Sequence, residues 1–84
     1  MSTERTSFWI RTFAAARAQS DWLLVARQYT RATAAQITSD INNAHRRAPH
    51  QRIRGVNDGE RWEAHWEAAP EGPLGDFVIW IRRL

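Results

Sequence analysis

The chain has 84 residues, no cysteine and a formal net charge of +3. That length admits one domain with a thin core, and the absence of cysteine excludes disulfides and thiolate metal sites as staples. No segment approaches the roughly 20 apolar residues of a membrane span, and Glu4, Arg5 and Arg11 break the apolar run that a signal peptide requires. The expectation is a soluble, cytoplasmic protein without a membrane partner.

Along the chain, Trp9, Phe13 and Ala16, with Ile10 and Ala14 beside them, stand at helical spacing. They predict a short amphipathic helix over residues 6–17. The same stretch, "SFWIRTF", is rich enough in β-compatible residues that a strand over 7–13 stays open as the rival. Residues 1–19 are thus an N-terminal helix or arm before a core of 20–84. Residues 22–29, "WLLVARQY", read as a strand.

A second helix is predicted over about 31–47. Thr30 is its N-cap, or Thr33 with Gln36 a capping box, and Ala34, Ile37, Ile41, Ala44 and Ala48 form its apolar stripe. Arg46 and Arg47 fall in its last turn, where the dipole favours cations, and Pro49 stops it. Residues 49–60 read as a basic loop, with a short extended piece around Ile53 and a turn at Asn57-Asp58-Gly59.

Residues 61–69, "RWEAHWEAA", fit two structures. As a helix they carry a Trp62, His65, Trp66 and Ala69 stripe, and local propensity favours that form. As a strand, Trp62, Ala64, Trp66 and Ala68 alternate without a miss against Arg61, Glu63, His65 and Glu67. The final segment, "GDFVIWIRRL", holds five consecutive apolar residues, too few for a stable helix. Strands at 22–29 and 77–84 alone make a ribbon that is marginal in water, and a third at 61–68 completes a sheet. The expectation is therefore an α+β fold in the order α-β-α-β-β. One helix packs on a small three-stranded, mainly antiparallel sheet, Trp62 and Trp66 face that helix, and "APEGPLGD" connects the last two strands.

The "W-x-x-V-A-x-x-Y" strand from Trp22 to Tyr29, the Ala-rich helix and the "W-E-A" hairpin from Trp62 to Ala64 together resemble short orphan proteins of actinobacteria and their phages. The resemblance covers roughly residues 20–84. It implies an actinobacterial or phage origin.

All twelve basic residues are arginine. Genome composition accounts for this, as does recognition of phosphate or carboxylate by guanidinium forks. The densest basic cluster is Arg46, Arg47, Arg52 and Arg54, with His45 and His50 nearby. Opposing it, Asp58, Glu60, Glu63, Glu67, Glu71 and Asp76 crowd the next segment, a polarity that suits protein docking as well as DNA. His45 and His50 lack a third ligand in sequence, and His65 lacks a nucleophile or acid in reach, so it reads as a half-exposed strand residue. No Gly-rich phosphate loop, Ser elbow or HExxH is present. A cofactor and catalysis are not expected.

The tryptophans carry most of the information. With one helix covering one face of the sheet, Val78 and Trp80 point the other way, joined by either Leu23, Val25 and Tyr29 or Trp22, Leu24 and Ala26. That second face is too apolar to stand open, so either the N-terminal helix or another chain covers it. The reading is a non-enzymatic binding protein that uses Trp80, Val78, Arg82 and Trp9 against a protein partner, with a homodimer as one form. The alternative is a nucleic-acid-binding module that uses Arg46, Arg47, Arg52 and Arg54 against phosphates.

Overall fold

The computed structural model describes residues 3–69 and 76–84, and for residues 3–7 only the backbone. Two α-helices, α1 (Thr3–Arg17) and α2 (Arg31–Asn42), pack with three strands, β1 (Leu23–Leu24), β2 (Trp62–Ala68) and β3 (Phe77–Arg83). The strands form an antiparallel sheet in the order β1-β3-β2, giving a small α+β fold. The alternation in "RWEAHWEAA" thus prevails over helix propensity, because pairing with β3 buries Trp62 and Ala64 on one face. Ala69 N–H donates to Asp76 O at 3.0 Å and closes the far end of the β2–β3 pair. The expected connection between these strands lies at 70–75, outside the described residues.

Both helices lie on the same face of the sheet. Phe13 and Ala16 of α1 share a buried cluster with Ala34 and Ile41 of α2, Trp62 and Ala64 of β2, and Ile79 and Ile81 of β3. The alternative in which α1 covers the second face is therefore corrected: with no more than 12 residues, α2 is too short to roof the sheet alone, and α1 completes that layer.

The expected strand over 22–29 also needs correction. Leu23 and Leu24 pair with Ile81 and Trp80, and Val25 N–H donates to Ile79 O at 2.9 Å. Tyr29 next pairs with Phe77, so Ala26, Arg27 and Gln28 all stand opposite Val78 and bulge outward. Arg27 sets its guanidinium over the Phe8 ring, 3.9 Å from the centroid, which ties the bulge to α1.

Helix α2 starts where Thr30 accepts from Thr33 N–H. It ends at Asn42 rather than at 47, because both asparagines there use their side chains elsewhere. Asn43 Nδ2 donates back to Ser39 O at 2.9 Å. Asn42 Nδ2 donates to Ala64 O at 3.0 Å, and its Oδ1 accepts from Ala64 N–H at 2.8 Å. Two 3₁₀ turns follow, Ala44–Arg46 and Pro49–Gln51, and Ile53, expected in a short extended piece, belongs to no strand. The bond from Leu84 N–H to Arg61 O shows that odd-numbered residues of β2 hold the ladder with β3. Ala64 therefore turns its N–H and C=O to the outer edge. There Asn42 takes the place of a neighbouring strand.

One ion pair joins α1 to the loop before β2. Arg17 grips Glu60 with two bonds of 2.6 and 2.7 Å and also donates to Gly55 O. Asn57 N–H and the Trp62 indole donate to the same carboxylate, at 2.7 and 3.3 Å. Hydrogen bonding from Arg17, with smaller help from Asn57 and Trp62, outweighs burial and holds the Glu60 carboxyl at about 2, below its ordinary 4.5. A carboxyl depressed in the folded state stabilises above its unfolded value, and that stability is lost as pH falls from about 5 towards 2. Glu60→Gln should cost about 2 kcal/mol at neutral pH and flatten this acid limb. Urea midpoints measured across that range for both proteins check it, and parallel limbs would remove Glu60 as the cause.

Candidate functional site

With both helices on one side, the other side of the sheet carries a row of rings. The register sets Trp80 of β3 between Leu24 of β1 and His65 of β2. Trp22, just ahead of β1, shares this face. Of the two sets left open for the first strand, Trp22, Leu24 and Ala26 is the one that joins Val78 and Trp80, because Leu23 and Val25 belong to the buried side.

The rings touch in sequence across the strands. Trp22 meets His65 edge to face at 4.8 Å between centroids, and His65 stacks on Trp80 at 6.5 Å with 22° between planes. The Arg82 guanidinium lies over the Trp22 ring at 4.6 Å. Polar groups on the face pair with one another: Arg82 Nε donates to Glu63 at 2.7 Å, and the Trp80 indole donates to Glu67 at 2.9 Å. Trp22 and Trp80 are half-buried, His65 is exposed and Leu24 is 45% exposed. Arg82 and Glu63 are already paired within the face, so covering them strands neither charge, while Glu67 has only the neutral indole of Trp80 as its partner. Among the described residues, no side chain of α1 or α2 is part of this row.

Three of the four residues expected to bind a protein lie here. Trp80 and Arg82 stand in the row, and Val78, buried, sits at its end beside the 26–28 bulge. Trp9 does not join them. It packs against Phe13 on α1 and lines a hollow with Tyr29, Thr33 and Ile37 on the helix side. Sequence reasoning left Trp22 and Leu24 in one of two open sets and missed His65 as a member of the site. The available signal was parity: once Leu23 faces in, Trp22 and Leu24 must face out.

No protein-family model, curated protein or solved structure matches the chain.

The arginine segment is partly engaged within the molecule. Because α2 ends at Asn42, Arg46 and Arg47 do not fall in its last turn, contrary to expectation, and Arg47 instead pairs with Asp40 at 2.7 Å. Arg52 donates through Nε to the carbonyls of Ala44 and Arg47, and its guanidinium pairs with Asp58. Arg46 and Arg54 are exposed. Among the described residues, no three His, Cys, Asp or Glu side chains converge, and no helix is long and apolar enough to cross a membrane.

Proposed function

We propose that this is a non-enzymatic binding protein of actinobacterial or phage origin, working in the host cytoplasm, that docks a foreign polypeptide on the Trp22, His65 and Trp80 face. The observation that carries this reading is the placement of both helices on the opposite side, which leaves exposed an aromatic face whose Arg82 is already paired with Glu63. Trp and Arg are the residue types enriched at binding hot spots.

A second copy of the chain fits the face less well. A two-fold axis laid along β3 would set Arg82 over Arg82 of the other copy, and one laid across the strands through His65 would set Glu63 over Glu67, and like charges so placed oppose association. A foreign chain carries no such constraint. The arginine segment supports a nucleic-acid reading less, since Arg47 and Arg52 already hold carboxylates.

Affinity capture from the cells that encode the protein tests the proposal, with Trp80→Ser as the comparison. Trp80 lies outside the helix-covered core, so the variant should keep the fold, with its stability within about 1 kcal/mol, and lose a partner that the unmodified chain retains. Partners captured equally by both would refute the face. A mass doubled in light scattering, with a midpoint that rises with concentration, would transfer the face to a second copy.

A further inference from the structure

The β1 edge of the sheet differs from the β2 edge at Ala64. Leu23 and Val25 hold the ladder with β3, so the intervening Leu24 turns its N–H and C=O outward. At β2 the corresponding groups of Ala64 are taken by Asn42. Just ahead of Leu24 the edge is closed by its own side chains: Trp22 N–H donates to Asp21 at 2.8 Å, and Trp22 O accepts from Gln19 at 2.8 Å.

Hollows flank the open position. One, of about 240 Å³, lies between α1 and β1 and is lined by Phe8, Arg11, Ala15, Leu23, Leu24 and Ala26. Another, of about 280 Å³, is lined by Leu24, Val25, Ala26, Arg27 and Val78. Leu24 and Ala26 belong to both. Successive side chains of an added strand point to opposite sides, so one enters the hollow beside α1 and the next the hollow beside Val78. Arg11 and Arg27 are both exposed, stand one at each hollow, and among the described residues make no ion pair. Arg27 is held in place over Phe8.

We propose that the β1 edge at Leu24 takes an extended segment of the partner protein as a fourth strand, apolar at alternate positions and acidic at its flanks. The inference rests on the reading that this side of the molecule docks a polypeptide, and it names the part of the partner that is gripped. Backbone bonds to Leu24 supply a sequence-independent hold, the hollows select apolar side chains, and Arg11 and Arg27 select acidic neighbours. The closure at Trp22 fixes where the added ladder begins, so it runs from Leu24 towards Ala26.

The test uses random linear peptides displayed on phage, selected against the immobilised full chain. The expected result is a set of sequences with alternating apolar residues and flanking Asp or Glu. A peptide made from them should slow hydrogen exchange of the Leu24 amide in the unmodified protein. Ala26→Asp, which puts a carboxylate between the hollows without touching the ladder, should weaken its binding about tenfold or more. Arg27→Gln should weaken it and flatten its salt dependence. Failure to select any peptide, or selected peptides that leave Leu24 exchange unchanged, would overturn the edge site. If such peptides were instead lost with Trp80→Ser, the edge would fail while the face survived. Slow exchange at Leu24 without peptide, together with a doubled mass, would also overturn the proposal and assign the edge to a second copy.

Discussion

Gly55→Ala should lower the free energy of unfolding by about 3 to 5 kcal/mol, combining backbone strain with overpacking. Gly55 has a φ of +102°, a region that side chains rarely occupy. A Cβ there would also come within 2.6 Å of Phe13 Cδ2 and 3.0 Å of Trp9 O. Phe13 is fully buried against Trp62, with 4.7 Å between ring centroids, and Trp9 O belongs to the backbone of α1, so neither neighbour can yield cheaply. Gly59 separates the two causes, since its φ is +81° but a Cβ would meet nothing within 4 Å. Gly59→Ala should cost only the strain, about 1 to 2 kcal/mol. Urea unfolding followed by tryptophan fluorescence measures both, and equal losses would show that Phe13 moves aside.

Trp62→Ala should cost about 3 to 5 kcal/mol, the range for truncating a buried large aromatic. Only 3% of Trp62 is exposed. Its ring packs on Phe13 and carries the Arg17 guanidinium at 5.5 Å, while its indole donates to Glu60. The loss therefore removes packing and one of the donors that hold Glu60. Trp66→Ala should cost less, about 1 to 2 kcal/mol, because Trp66 is half-buried near the end of β2 against Phe77. Calorimetry on the two variants decides the order. A larger loss at Trp66 would place the weight of the sheet–helix layer at the other end of β2.

What the residues disclosed, and what they withheld, follows from the range of the forces involved. The β2–β3 pair was legible because alternation over 61–68 and the apolar run at 77–81 are local patterns that require each other. The extent of the first strand was not, because its bulge depends on Arg27 reaching Phe8, a contact between residues 19 positions apart. The end of α2 shifted for a similar reason. Asn42, the last residue of the helix, sends its side chain to Ala64, 22 residues on, and of the arginines after it Arg47 and Arg52 bind Asp40 and Asp58. Of the candidate site, Val78, Trp80 and Arg82 could be assigned to one face from β3 alone. Choosing between Trp22 with Leu24 and Leu23 with Val25 needed the pairing partner of the first strand. Trp9 was misplaced because helical spacing marks an apolar stripe without saying which face of the sheet it meets.

The side chain of Asn42 against Ala64 also limits where a further strand can be added. A sheet extends indefinitely only when each unit both receives a strand at one edge and offers a strand at the other. Here Leu24 can receive, while at Ala64 the donor and acceptor that would be offered are already bound within the molecule. The β2 edge is therefore blocked where Ala64 lies, and a strand added on that side would have only the outward groups of Trp66 and Ala68 to pair with.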